Sequence, residues 1–538
     1  MASPSQKTKK PMSAAKSSIK VTPPPRLYAA IAGILGAAVA LAIGEFISGL
    51  SRAIPSMVVS AGDWVIDSAP GAVERWAIDT LGTADKPALV IGTIIITLLI
   101  GAGIGIAARV DQRITGAVFA VFGLLGWWFL ARNPLTDTSA TWLVAFVAAA
   151  GGYAAFRLLY AVSQFNEQKV ALETPTNPFA TRRSFFAWGG AAGLTAVALT
   201  GLGRQLRGRA AVDDARNEIV IDTTTDAATI AADIETFDDI EGIASYITDS
   251  TGNNFYRIDS ALTIPQVDPD TWSLKITGLV DNPVEFTLAD IQAMDLEDHV
   301  VTISCVSNEV GGGLVGNALW TGVPLTKLLE IAGVQPEATQ FVSRSVDGWT
   351  AGFPPEILQD GRTALLAIGM NGEPLPVRHG FPARIIVAGI YGYVSATKWV
   401  EEINLTAWDD FDGYWIPRGW AKEGPIKTQS RIDVPRSRTE ISSGLQPIAG
   451  VAWAPTRGIS MVEVKIGDED WQEATIAESV TDETWVQWML EWDAPPGDHL
   501  IQVRATDGDG ELQALGPKRV DPDGAEGWHI IGVRVSSA

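Results

Sequence analysis

The 538-residue chain carries one cysteine, Cys305, and four histidines, His299, His379, His499 and His529. One cysteine excludes an intrachain disulfide, a Cys-built zinc site and an iron–sulfur cluster ligated by this chain alone. The histidines lack zinc-ligand spacing, and no HExxH, Gly-x-Ser-x-Gly, Walker loop or Cys-x-x-Cys-His occurs. Cys305 ends the run His299-Val300-Val301-Thr302-Ile303-Ser304-Cys305 and is followed by Val306-Ser307-Asn308-Glu309-Val310-Gly311-Gly312-Gly313. Three roles are open to it: a small buried core residue, a nucleophile, or a soft thiolate ligand for a transition metal. The glycines permit a bulky group to approach the backbone.

Three further stretches carry polar chemistry. Asn253-Asn254-Phe255-Tyr256-Arg257 offers amide, aromatic and cationic groups. Arg378-His379-Gly380-Phe381-Pro382-Ala383-Arg384 sets three cationic side chains around a turn. Gly389-Ile390-Tyr391-Gly392-Tyr393-Val394-Ser395-Ala396-Thr397-Lys398-Trp399 adds hydroxyls and a lysine. Arg and Lys with hydroxyl and amide donors are the groups that hold phosphate. Each stretch alone also reads as a solvated loop.

The elements that must position these groups follow from periodicity. Strands are expected at 272–280, 299–305, 383–389 and 394–405, with helical pieces at 290–294 and 325–332, the latter closed by Gly333. Together they make an α+β domain over 251–434. Beyond 435, short strands at 450–454, 461–466, 485–492 and 499–506 are joined by Pro/Gly/Asp turns, the spacing of an all-β sandwich. Asp507-Gly508-Asp509-Gly510-Glu511 lacks the rest of a calcium loop and reads as a hairpin turn.

The remaining chain is of another kind. Mean hydropathy is +0.16 although 19% of residues are charged, so apolar residues are concentrated somewhere. Runs at 27–50, 87–108, 114–131, 140–162 and 184–203 are each long enough to cross a bilayer as a helix. Gly101-Ala102-Gly103-Ile104-Gly105 lies inside one of them and reads as helix-packing surface, not a dinucleotide loop. Residues 1–210 hold 19 basic and 10 acidic residues; 211–538 hold 21 and 52. The net charge of −22 argues against nucleic-acid binding. The basic tail 1–26, taken as disordered, and the links with Arg109, Arg113, Lys169, Arg182 and Arg183 belong in the cytoplasm. The net acidic loop 51–86 then lies outside, as does everything after 203. Arg204, Arg207 and Arg209 disagree with this orientation and are outweighed by the other loops. Thr181-Arg182-Arg183-Ser184-Phe185-Phe186 before the last run looks like a twin-arginine export signal. The acidic stretch 204–250 reads as a tether.

Residues 251–410 resemble the molybdopterin domain of the sulfite-oxidase superfamily. The residues that carry this are Asn253 to Arg257, Ser304-Cys305-Val306-Ser307-Asn308, Trp320-Thr321-Gly322-Val323-Pro324-Leu325, His379 to Arg384, and Tyr391-Gly392, Ser395 and Lys398-Trp399. The C-terminal sandwich is similar to that family's immunoglobulin-like dimerisation domain, through Gly450-Val451-Ala452-Trp453, Gly458-Ile459 and Val462-Glu463-Val464. The resemblance implies Mo-molybdopterin, with Cys305 as the molybdenum ligand. It implies that Asn253, Tyr256, Arg257, Ser345, His379, Arg384, Ser395 and Lys398 hold the pterin and its phosphate. Tyr391 would stand near the metal's open side as a catalytic residue. Sulfite-oxidising members carry an arginine after the Cys-x-Gly-Asn segment; here Glu309 follows Asn308, and a carboxylate repels sulfite.

The resulting expectation is a multi-domain protein: five transmembrane helices, an α+β molybdopterin domain and an immunoglobulin-like sandwich. It would be a plasma-membrane oxidoreductase with its N-terminus cytoplasmic and its catalytic domain outside. It would transfer oxygen atoms on a small or sulfur-containing substrate. Electrons would pass to a separate protein or the quinone pool, and the C-terminal domain would form a homodimer. The competing reading is a cofactor-free surface-binding or adhesion protein that keeps the fold.

Overall fold

The computed structural model describes residues 23–136, 141–164, 182–209, 212–221, 229–230, 234–250 and 254–537. The tail 1–22, Lys169, Thr181 and Asn253 lie outside these residues. The chain divides into two compact units. One holds residues 1–62, 86–132 and 136–208; the other holds 63–85, 133–135 and 209–538.

Among the described residues, five helices are long and apolar enough to cross a membrane: α1 (Arg26–Ser48), α4 (Asp85–Ala107), α5 (Arg113–Arg132), α6 (Thr141–Val162) and α7 (Arg182–Arg209). Small residues let them approach closely. A Cβ on Gly33 would overlap the Gly101 carbonyl, and one on Gly105 would overlap that of Ala29. This bears out the packing role of the Gly101–Gly105 run. One charge pair involves one of the three arginines that disagree with the charge rule. Arg207 lies 3.7 Å from Glu45 and donates to Ser48 Oγ at 2.6 Å, so its charge is partnered within the unit. The 51–86 loop contains two helices that the sequence reading passed over, α2 (Met57–Ser68) and α3 (Gly71–Leu81). Their polar and β-branched mixture gives no span-length apolar run.

The second unit contains two sheets that frame the site. The first runs Val284–Thr287, Ser273–Gly278, Val400–Thr406, Gln340–Ser345, Thr350–Phe353, with Ser273–Gly278 and Val400–Thr406 parallel. The second runs Glu297–Ser304, Val315–Pro324, Ala364–Met370, and Arg384–Val387 pairs with the last of these. Val315–Pro324 and Ala364–Met370 are buried along nearly their whole length, so they read as apolar runs without alternation. Helix Leu325–Ala332 buries Leu325, Leu328, Leu329 and Ala332, one helical face, and Gly333 closes it at φ 68°. That face meets Ile276, Phe341 and Ile403 in the core.

Three expectations are corrected here. The span 394–405 is not one strand. Gly392–Ser395 is a helical turn, Trp399 takes φ 50°, and the strand begins only at Val400. The stretch 204–250 is not a free tether. Val212 and Tyr246 are fully buried, and Tyr246 shares a hydroxyl bond with Thr484 at 3.0 Å. Burying those apolar side chains outweighs the acidic composition around them. The sandwich begins at Gln429, because Gln429–Val434 pairs with Gly444–Trp453. Its two sheets enclose Val464, Trp488, Ile501 and Val533. The turn at Asp507 is the expected hairpin turn, with Glu511 N–H donating to Asp507 Oδ1 at 2.9 Å.

Candidate functional site

The strand Glu297–Ser304 delivers Cys305 at its end. There the backbone turns: Asn308 N–H donates to the Cys305 carbonyl at 3.0 Å, and Asn308 Oδ1 accepts from Leu314 N at 2.8 Å. Ser307 N–H points at Cys305 Sγ, 3.4 Å away. Burial pushes the thiol up from its ordinary value, and this donor opposes the shift. A bound cation would invert that balance and deprotonate the sulfur.

Burial, and secondarily the nearby Cys305 sulfur, raises the hydroxyls of both Tyr256 and Tyr391 above their ordinary value. Tyr256 stacks on Phe255 at 5.4 Å. Phe255 meets His379 edge-on at 5.6 Å and Trp320 at 5.8 Å. Arg384 lies over the Trp320 ring at 5.1 Å and donates to the His379 carbonyl at 3.1 Å. A Cβ on Gly380 would stand 3.1 Å from Cβ of both Arg384 and Lys398. A residue without a side chain, at φ 115°, is what lets these two strands of the site close up.

The electrostatics of this group are unbalanced. Burial, with Arg384, Arg378 and Arg257, drops His379 to about 3. Burial drops Arg384 to about 10. Arg384 Nε and Ser345 Oγ are buried without a hydrogen-bond partner. Asp259 lies against Arg257, at 3.3 Å, and against Lys398. A buried donor left without a partner costs about 1–3 kcal/mol. These side chains therefore fit a polyanionic, oxygen-rich group that would satisfy them.

The structure thus brings together Tyr256, Arg257, Cys305, His379, Arg384, Tyr391 and Lys398. Ser345 ends its strand opposite Val400, two residues after Lys398. Ser395 donates its buried hydroxyl to the Tyr391 carbonyl at 3.1 Å, and its oxygen can still accept a bond. Tyr391 is buried, and burial raises its hydroxyl to about 12. Its oxygen accepts from Lys427 N at 3.5 Å.

Residues that the sequence reading missed surround that hydroxyl. A Cβ on Gly524 would stand 2.5 Å from it, so the 520s loop of the sandwich packs directly on the phenol. Lys427 Nζ binds Glu526 at 2.7 Å, Asp523 at 3.0 Å and the Gly524 carbonyl at 3.1 Å. No local motif marks these residues. Glu309, by contrast, is exposed on the turn after Cys305.

The family model for the oxidoreductase molybdopterin-binding domain matches residues 261–415. YuiH, an uncharacterised oxidoreductase of Bacillus subtilis, is 35% identical over 159 residues, spanning 29% of this chain and 76% of that protein. Rat mitochondrial sulfite oxidase is 27% identical over 338 residues, 54% of this chain and 60% of that enzyme. The sulfane dehydrogenase SoxCD from Paracoccus pantotrophus aligns with TM-score 0.48 and 24% identity, covering 59% of this chain and 87% of that one. The chain belongs to the family of molybdopterin-binding oxidoreductases. It is a sulfite oxidase-like enzyme, and Mo-molybdopterin is the cofactor that this membership implies. It spans about six tenths of the length of the rat sulfite oxidase it matches.

Proposed function

We propose that this enzyme is anchored in the plasma membrane by its five apolar helices and works on the extracytoplasmic side. It transfers an oxygen atom to or from a small or sulfur-containing substrate and exchanges two electrons with a separate protein or the quinone pool. The observation that carries this reading is the buried cluster of Tyr256, His379 and Arg384, in which Arg384 Nε and Ser345 Oγ lack hydrogen-bond partners.

The bound cofactor supplies two-electron oxygen-atom chemistry at molybdenum. Cys305 provides the sulfur ligand, and Ser307 N–H stabilises it as the thiolate. Arg257, His379, Arg384 and Lys398, with Ser345, Tyr256 and Asn253, hold the pterin and its phosphate. Burial and three arginines drop His379 to about 3, so the neutral ring can accept or donate one hydrogen bond without adding charge. Tyr391 remains protonated at every working pH and donates to the oxygen of the substrate. Ser395 holds the Tyr391 backbone in place.

Two features support the outward orientation. Residues 63–85 and 133–135 connect spans, and both fall in the compact unit of the catalytic half. Asp67 there accepts from Tyr414 at 3.1 Å. Arg182 and Arg183 open α7 as a twin-arginine signal would. We also assign the sandwich an immunoglobulin-like, chain-pairing role, supported by exposed Leu445, Leu500 and Ile530.

The test is metal and pterin analysis of the full chain purified in detergent, followed by a dye-coupled screen of sulfite, sulfoxides and N-oxides. Stoichiometric molybdenum and turnover of at least one substrate are expected. Folded protein without molybdenum or pterin would overturn the proposal in favour of a surface-binding role.

A further inference from the structure

The wall facing Tyr391 carries a charge pattern that bears on substrate choice, an inference that rests on the function just proposed. Lys427 is the cation that reaches this wall, and its ammonium is saturated. It binds two carboxylates, Asp523 and Glu526, and the Gly524 carbonyl. Lys427 and Glu526 side chains are only 19% and 17% exposed, so the pair is largely desolvated. Lys427 and Lys518 hold the Glu526 carboxyl below the usual range, so it stays charged. Lys518 binds the other oxygen of Glu526 at 2.6 Å. Arg431 reaches the same loop, donating to the Gly312 carbonyl at 3.0 Å, but Asp433 neutralises it at 2.6 Å. Glu309 adds a carboxylate with solvent around it. Val310 of that turn packs 3.4 Å from where a Cβ on Gly527 would lie. The wall is therefore built jointly by the Cys305 turn and the sandwich loop. Lys427, Lys518 and Arg431 are all paired there, by Asp523, Glu526 and Asp433.

An oxyanion needs a cation whose charge is not already cancelled. We propose that Asp523 and Glu526 are specificity-determining residues that hold Lys427 neutralised, so that the site accepts an uncharged oxide such as a sulfoxide or amine N-oxide and excludes sulfite and other oxyanions. The half-reaction balances as oxide plus two electrons and two protons giving thioether or amine plus one water. A quinol or reduced electron-transfer protein supplies the electrons. In the reverse direction water supplies the oxygen, two protons leave, and a quinone or oxidised electron-transfer protein accepts the two electrons. Tyr391 donates its hydrogen to the oxide oxygen, since its own oxygen is the acceptor in its bond to Lys427 N.

The experiment uses the full chain loaded with cofactor, with molybdenum content and thermal unfolding measured alongside. Sulfate is the probe. Calorimetric titration of the wild type should show no sulfate binding, and sulfate should not inhibit turnover of an uncharged oxide. The double variant Asp523→Asn with Glu526→Gln releases Lys427. It should bind sulfate and improve kcat/KM for sulfite roughly tenfold or more. Sulfate binding by the wild type, or a wild-type kcat/KM higher for sulfite than for any uncharged oxide, overturns the inference without needing the variant. An unchanged sulfite kcat/KM in a folded, loaded variant overturns it as well. A preparation without molybdenum and pterin overturns the functional reading and this inference with it. A loaded enzyme that prefers sulfite overturns this inference alone.

Discussion

Two charged regions flank Cys305, and they are finished to different degrees. Around His379 and Arg384 the cations outnumber their partners. Three arginines press on His379, Arg384 keeps a buried Nε without an acceptor, and Ser345 keeps a buried hydroxyl the same way. Around Tyr391 each cation meets a carboxylate: Lys427 with Asp523 and Glu526, Lys518 with Glu526, Arg431 with Asp433. Proteins seldom leave buried polar groups unpaired, because each costs free energy. Two unpartnered buried groups, Arg384 Nε and Ser345 Oγ, beside a wall of paired charges fit a resident anion on the first side. On the proposed reading, charge holds the cofactor on one side and the substrate meets a neutralised surface on the other.

The division can be broken from either side. The largest effect should come from Arg384→Met. Removing a buried, hydrogen-bonded charge costs about 2–5 kcal/mol, so pterin retention should fall roughly a thousandfold. Fluorescence of the released pterin after gel filtration measures it. Retention within a few-fold of wild type would show that the cradle does not hold the cofactor. Tyr391→Phe should act on the other region only. Turnover should drop roughly a hundredfold while molybdenum and pterin content stay at wild-type levels. Equal turnover would remove the phenol from the reaction. The smallest effect belongs to Ser395→Ala. Because its hydroxyl is bound to the Tyr391 carbonyl, the variant should lose about 1 kcal/mol of stability. Its pterin retention should change less than threefold. A loss comparable to that of Arg384→Met would return Ser395 to the cradle.

The sequence was most informative where the chemistry is local. The long apolar helices are legible because twenty or so apolar residues in a row leave little else to form. The run 27–50 is helix Arg26–Ser48, and 184–203 lies within Arg182–Arg209. The cradle is legible because its residues come as short stretches of donors, with glycines where backbones approach. The opposite wall is not legible. Lys427 reaches Tyr391 from 36 residues away and Glu526 binds Lys427 across 99 more, so only the docking of the sandwich loop assembles them. Tyr246 was missed for the same reason. Its partner Thr484 is 238 residues distant, and nothing in the acidic stretch around it signals burial. The strand expected at 394–405 failed on backbone geometry, since Trp399 at φ 50° cannot continue a strand.

The proposal for both regions turns on Cys305 as the metal's sulfur ligand. The direct measurement is X-ray absorption at the molybdenum edge on loaded wild type and on Cys305→Ser, with circular dichroism to confirm the fold. The account predicts one sulfur fewer around molybdenum in the variant, at equal pterin content, together with loss of turnover. An unchanged sulfur count, or full activity in the variant, would contradict it.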